Sequence, residues 1–564
     1  MRRLRRHLPI LGWLPGYDRK TLLRGDAVAA LSVWALLVPQ ALAYATLAGV
    51  PVQYGLYTAF AVLLAYAIFG TSKHVIQGPS ATVAAISAAV VGPIVGVAAL
   101  GTDVAVGYTA ALALAAGALY LLLGVLRMGW VSNFLSRAVI EGFILGLAFG
   151  ITIDQLHKLF GLPKSEGSYM HVLVQTLRNL PDTSGVTALV GLGSLGLLLL
   201  MRYTRPRWPR ALIVMVLSIL VVGGLDLASH GVDITGPVPT GFFSVSLPGV
   251  GWSETTALAL GALSVVFVGY AETLASARKM ALKHHYEIDA DQELLAQGVA
   301  CGTAGLVGGF VTDGSLSKTS VADAAGQRTQ MASLINAAMM LLTLLVLASL
   351  FENLPQAALG AVVIDAMVGL MSFAPMRRYY RVNRPDWVFF MGAALGILFF
   401  GIQQGVIIGV SLSLLLLIAR ASQTSIRRLG RDPGTDSYHD LRHHDGLETV
   451  PGVLVVRVDG PLFFADANRF RERLRDLVAR ATGPVGTVVV DADAIPLTDT
   501  DGADVLAQVR DELKAQGVEL ELARVHAPII ALWKRAGAVN GDIRVYDTVR
   551  EAVAAANRVP AGVT

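Results

Sequence analysis

Between residues 27 and 421 apolar segments of membrane-spanning length follow one another, and no other feature of the chain constrains its fold as strongly. A hydrocarbon core of about 30 Å takes about 20 residues of helix to cross. Spans are expected near 27 to 47, 53 to 70, 103 to 126, 129 to 150, 184 to 201, 210 to 228, 255 to 282, 290 to 307, 328 to 350, 355 to 373, 385 to 402 and 404 to 421. Two further segments, near 80 to 92 and 317 to 326, are interrupted, which brings the count to fourteen. An even count returns the chain to the side on which it started. The basic residues 1–26, and Arg420, Arg427, Arg428 and Arg431 after the last span, put that side in the cytoplasm of a cell (inner or plasma) membrane. No uninterrupted apolar core with a small-residue cleavage site lies within residues 1–26, so they are not read as a cleaved signal.

Charged residues make up 15% of the chain and hydrophobic ones 54%, whereas soluble domains carry about 25% charge. The expected fold class is therefore an α-helical polytopic membrane protein, not a soluble enzyme. A net charge of +4 is small for this length and reads as a topology signal; no nucleic-acid partner is expected. Cys301 is the sole cysteine, which excludes an internal disulfide and a Cys-built metal cluster. No cofactor is expected.

The two interrupted segments carry the functional reading. Gly308–Gly326, GGFVTDGSLSKTSVADAAG, lies deep in an apolar run yet is broken by glycine and holds a lysine and several hydroxyls. Its counterpart, Gly78-Pro79-Ser80-Ala81-Thr82-Val83, follows a basic turn at Lys73-His74. Irregular backbone survives in a bilayer only where it lines a cavity or is buried in protein, because lipid satisfies no N–H or C=O group. Dividing the fourteen segments into two sevens, 27–228 and 255–421, puts a broken helix third in each half, the pattern of an inverted-repeat transporter with a midplane site.

Half-helix amino ends facing each other present unpaired N–H groups and about half a positive charge each, which suits a small anion. Ser80, Ala81, Thr82, Ser315, Leu316, Ser317, Lys318 and Thr319 are the candidate binding residues, Lys318 adding a full charge. The bland reading is that Ser80 and Ser315 cap their helices and Lys318 snorkels to the interface. Glu272, in GYAETLASARKMA, is a carboxylate at mid-depth, poised to bind and release a proton and so to couple anion uptake to H+. A static ion pair with Lys318 or Arg278 is its structural alternative, and a Na+ site shared with Ser276, one turn on, its functional one. Asp289, Asp291 and Glu293 read as acids at a helix start. Glu141, Asp154 and Asp365 have no evident partner in the sequence, and His284 and His285 read as interfacial residues without further metal ligands at suitable spacing.

From about residue 436 charges become dense and apolar runs shorten to strand length at Val453 to Val458, Thr487 to Val490, Glu519 to Ala523 and Ile543 to Tyr546. Amphipathic stretches at Asn468 to Ala481 and Ala503 to Gln516 lie between them, which predicts a small cytoplasmic α/β domain over 436–564 behind a linker at 422–435.

On these residues the chain resembles the SulP/SLC26 anion transporter family along nearly its whole length. LLVPQALAYATLAGVPVQYGLY resembles that family's opening signature, QGPSATVAAIS its third segment, YEIDADQELLAQG and GSLSKTSVADAAGQRT its ninth and tenth, and the tail its STAS domain. The resemblance implies a core (spans one to four and eight to eleven) that moves against a gate (five to seven and twelve to fourteen), in a homodimer with STAS contacts. It adds Gln40 and Tyr44 to the binding residues and, through Lys318, favours a divalent anion. Ala322 and Cys301 stand where an asparagine is common. Asp499-Thr500-Asp501-Gly502 resembles a STAS regulator's D-S-S-G with Asp501 in place of the phosphorylatable serine, leaving Thr500 as the expected helix cap. The expected function is proton-coupled sulfate uptake. Bicarbonate or a dicarboxylate such as fumarate, Na+ coupling or exchange, and an anion-sensing membrane regulator are the alternatives.

Overall fold

The computed structural model describes residues 7–96, 99–130, 136–165, 167–205, 208–238, 251–421, 425–435, 437–481 and 483–558, and the chain divides into two compact units, Met1–Ser413 and Leu414–Thr564. Helices occupy every expected span. The first seven are α1 (Arg19–Ala48), α2 (Gln53–Phe69), α3 (Ala81–Val95), α4 (Asp103–Val125), α5 (Arg137–Phe160), α6 (Gly185–Thr204) and α7 (Arg210–Gly224). The second seven are α8 (Trp252–His284), α9 (Ala290–Leu306), α10 (Leu316–Ala324), α11 (Met331–Leu342), α12 (Gln356–Leu370), α13 (Arg384–Phe400) and α14 (Ile402–Ala421). Among the described residues, seven helical stretches are long and apolar enough to cross a membrane by themselves. The short α3 and α10 are the third and tenth, each preceded by a two-residue strand, β1 (Gln77–Gly78) and β2 (Asp313–Gly314).

Polar groups, not hydropathy, set several helix ends, and there the expected boundaries shift. Helix α1 begins eight residues before the expected span, inside the segment 1–26, because Asp18 accepts from the Lys20 N–H. Asp26 is buried and accepts from the backbone N–H groups of Arg328 and Thr329. The fifth span, expected at 129–150, is α5 at Arg137–Phe160. Its polar last turn is satisfied within the protein, with Lys158 donating to Thr46 at 3.0 Å and His157 Nδ1 2.5 Å from the Asp154 carbonyl. The eleventh continues beyond α11 through a π-turn, Thr343–Leu347, where Thr343 accepts from the Trp34 indole. The arginines before His7, and the side chain of Arg420, lie outside the described residues.

Close helix approach relies on glycine, as expected where lipid offers no hydrophobic drive between helices. A Cβ on Gly117 of α4 would stand 2.8 Å from the Gly302 nitrogen of α9. On Gly142 and Gly146 of α5 it would stand 2.1 Å from the Phe390 carbonyl and 2.4 Å from that of Ala394, both on α13.

The C-terminal unit is a six-stranded sheet in the order β4-β3-β5-β6-β7-β8. Its strands are β3 (Ser425–Arg431), β4 (Tyr438–Asp440), β5 (Val453–Asp459), β6 (Thr487–Asp491), β7 (Glu519–Ala523) and β8 (Val545–Tyr546), with helices α15 (Ala467–Ala479), α16 (Thr500–Ala515), α17 (Ala527–Arg535) and α18 (Val549–Ala556). Strands β5 to β8 are parallel, and β6, buried at every residue, reads as the continuous apolar run of a sheet covered on both faces. Two expectations are corrected. The linker 422–435 contains β3, whose arginines escape an apolar pattern because the strand is held by pairing antiparallel with β5 and β4. The cap of α16 is Asp499, which accepts from the Gly502 N–H at 2.8 Å, and not Thr500, which is already helical.

Gly142→Ala should lower the thermal stability of the detergent-solubilised protein by the equivalent of about 1–3 kcal/mol, the usual cost of overpacking. Gly196→Ala, on α6 with open space around its Cβ, should leave the melting temperature unchanged or slightly raised.

Candidate functional site

The two half-helices are brought together by the β1–β2 pair. Gln77 faces Gly314 and Gly78 faces Asp313 in antiparallel register, so the helices that follow depart in opposite directions with their amino ends on either side of the pair. The surrounding contacts leave it little freedom. Gln77 donates to Gln297 at 2.8 Å, Gln297 donates to the Thr312 carbonyl at 2.5 Å, and the Gly314 N–H donates to Thr273 at 2.8 Å. Gly314 itself has no room for a side chain: a Cβ would meet Thr273 and Val75 at 2.9 Å.

Both helices begin with unpaired donors. The first intrahelical bonds run from Ala84 N–H to the Ser80 carbonyl and from Thr319 N–H to the Ser315 carbonyl. The N–H groups of Ala81, Thr82 and Val83, and of Leu316, Ser317 and Lys318, therefore have no acceptor within their helices. Neither Ser80 nor Ser315 uses its hydroxyl as a cap. Ser80 donates to Asp313 at 2.8 Å, and the Ser315 and Ser317 hydroxyls lie 2.9 Å apart. The capping reading of these serines is thus replaced by contacts within the site. Lys318 does not snorkel either, being 1% exposed and donating to the Pro79 carbonyl.

These ends form the floor of a cavity of about 890 Å³. Of the residues singled out in the sequence, Gln40, Tyr44, Ser80, Ala81, Thr82, Glu272, Ser276, Ser315, Leu316, Ser317 and Lys318 all line it. Thr319 does not; its hydroxyl accepts from the Ile76 N–H at 3.0 Å, one turn below the floor, and serves the segment leading into β1. Glu272 is joined to α3 by a 3.0 Å bond from Thr82, not by a simple ion pair. The Ser276 hydroxyl is buried without a hydrogen-bond partner.

The opposite wall comes from α5, α6, α7 and α12. There Asp365 is paired with Arg202 at 3.3 Å and Arg210 at 3.0 Å, near Arg137 and Glu141. Leu31 and Leu370 complete the lining. Helices α1, α3, α8 and α10 thus face α5, α6, α7 and α12 across the cavity.

Sequence reasoning passed over Asp313, fully buried between Ser80 and Glu272, although an acid inside a broken membrane segment is itself a signal. It also left Asp365 and Glu141 unassigned; their partners are Arg202 and Arg210 in one case and the Tyr379 hydroxyl, 2.8 Å away, in the other. Those pairings join residues more than 150 positions apart, which no local pattern reveals. The acids of α9 divide by role. Asp289 caps the helix and Asp291 accepts from the Gly129 N–H, while buried Glu293 accepts from Tyr66, Thr71 and Ser72.

The sequence and fold have known counterparts. The model of the sulfate permease family matches residues 23–393, and that of the STAS domain residues 446–552. A probable sulfate transporter of Mycobacterium tuberculosis is 32% identical over 555 residues, covering 97% of this chain and 98% of the relative. A probable sulfate transporter of Arabidopsis thaliana is 30% identical over 575 residues, covering 98% of this chain and 84% of that protein. The solved structure of murine solute carrier 26 family member A9, an anion transporter in its inward-facing state, superposes with a TM-score of 0.90 at 26% identity, covering 98% of this chain and 94% of that one. With its two broken helices at the third and tenth positions and a STAS domain behind the last span, the chain belongs to the sulfate permease (SulP/SLC26) family of membrane anion transporters and is not an enzyme.

Proposed function

We propose that this protein is a secondary active transporter of small oxyanions, sulfate first, that carries its anion together with a proton by moving a core (α1–α4 and α8–α11) against a gate (α5–α7 and α12–α14). The observation that carries the coupling is the charge count at the cavity floor: one lysine, Lys318, and one carboxyl, Glu272, line it, and a second carboxyl, Asp313, is buried directly behind it against Ser80. With both ionised the floor carries a net negative charge and repels an anion. A proton taken up by Glu272 removes that excess and leaves Lys318 and the two helix ends free to attract the ligand. Sulfate is favoured because relatives described as sulfate transporters align along nearly the whole chain, and because a divalent anion gains most from a fixed cation.

The core-against-gate movement is supported by where the cavity lies. All the floor residues belong to one helix group and the Asp365–Arg202–Arg210 cluster to the other, so the floor can travel as a body without breaking its own bonds. By the positive-inside rule, the N-terminus and the C-terminal STAS domain are cytoplasmic. The family architecture supports a homodimer.

In proteoliposomes, uptake of radiolabelled sulfate should rise when the entry side is acidified, because protonation of the floor precedes binding. Glu272→Gln should flatten this response to within about twofold; an unaltered pH dependence would remove the coupling role, and a response to a sodium gradient instead would assign it to Na+. Within a panel containing bicarbonate and fumarate, sulfate should be carried best, and the absence of flux for every anion would favour the sensor.

Lys318→Ala should weaken sulfate more than a monovalent anion, by about tenfold or more, since the lost Coulomb attraction scales with ligand charge. Equal losses for both would show that Lys318 serves only to hold the Pro79 carbonyl.

The native chain has one cysteine, Cys301, and it is buried. Ser317→Cys should therefore react with a membrane-impermeant thiol reagent at least about ten times faster than Thr319→Cys, with sulfate slowing the former only. Equal rates would contradict an open cavity ending at Ser317.

A further inference from the structure

Away from the cavity, the segment before β1 and the ends of α8 and α10 meet in a second polar cluster. It is made of His74, His284 and Asp323, whose ligand atoms all lie within 4.8 Å of one another. The imidazoles are stacked nearly parallel, 11° apart with centroids at 4.1 Å, and His284 Nε2 is 2.6 Å from Asp323 Oδ1. Lys283 holds the other oxygen of Asp323 at 2.5 Å and so aims Oδ1 toward the two rings.

His74 is the residue that ordinary packing leaves unexplained. It is 3% exposed, its Nδ1 is 3.3 Å from the Tyr286 hydroxyl, and its Nε2 is buried with no hydrogen-bond partner. An unpaired buried nitrogen is a cost that the fold would not carry without return. Two parallel imidazoles in contact cannot both be charged without strong repulsion, and neutral imidazole is the form that ligates a metal. Two histidines and a carboxylate suit a borderline cation and leave a fourth position for water.

We propose that His74, His284 and Asp323 bind one divalent transition-metal ion of the Zn2+ class, which staples the end of α8 to the end of α10 and to the segment leading into β1. In the bound form Nδ1–H of His74 donates to the Tyr286 oxygen, the kind of outer contact that orients a ligating histidine. Entry is from the surface, where the His284 side chain is 21% exposed. Lys73 over the Tyr286 ring, Lys283, and Arg328 nearby oppose the ion's charge, which places the affinity below that of a closed structural zinc site. The three tethered segments are those that present Glu272, Lys318 and Ser80 to the cavity, so occupancy would stiffen the floor. The binding claim itself does not depend on which anion is carried.

Purified full-length protein, freed of metal by chelation, should bind Zn2+ in calorimetry with one site per chain more than the His74→Ala/His284→Ala double variant. Each single substitution should weaken that site at least about tenfold, whereas His285→Ala, on the adjacent exposed residue, should retain it. Native protein should also gain thermal stability on adding Zn2+, and Asp323→Asn should not; this readout decides the matter if the histidine variants fold poorly. Co2+ should develop visible absorption with native protein only. The same stoichiometry and affinity in native and double-variant protein, or no Zn2+-induced rise in native melting temperature, would overturn the assignment.

Discussion

Two pairs of residues, Gln77 with Gly314 and Gly78 with Asp313, hold the rest of the site in place. A strand of two residues has almost no stability by itself, and inside a membrane its remaining N–H and C=O groups would be costly if left unpaired. Here the surroundings supply the partners: Thr273, Gln297, Thr312 and Thr319 complete the bonds that the short strands cannot make with each other. Because the pairing is antiparallel, each half of the chain delivers one helix amino end to the same point. A parallel junction would have aimed both helices the same way.

The floor so formed is electrically mixed. Helix ends and Lys318 attract an anion, while Glu272 and Asp313 oppose it, and a site built for tight anion storage would omit the acids. On the proposed mechanism their presence ties ligand affinity to proton occupancy, which lets a carrier release as well as bind. On the opposite wall the charges are paired, Asp365 with Arg202 and Arg210.

Packing elsewhere serves the same end. Glycine contacts such as Gly117 with Gly302 and Gly142 with Phe390 bring α4 against α9 and α5 against α13, so each group of helices is rigid internally. The cleft between the groups carries Glu272, Lys318, Arg202 and Arg210 among predominantly apolar side chains.

Much of this was legible in the residues alone. Apolar length gave twelve spans, the Gly/Pro-broken segments gave the third and tenth helices, and a lysine and a glutamate at mid-depth marked the cavity, because a bilayer admits few solutions and penalises exceptions heavily. Helix ends were less legible: α1 and α5 extend through polar turns that are satisfied by distant partners, as Asp26 is by Arg328 and Thr329. The β3 strand was hidden because its arginines follow no apolar alternation, its place being decided by pairing with β5. The partners of Asp313, the Asp365 cluster and the His74–His284–Asp323 cluster belong wholly to the tertiary structure. Each joins groups far apart in the chain, and sequence periodicity records only which face of an element is apolar, not which distant polar group will come to meet it.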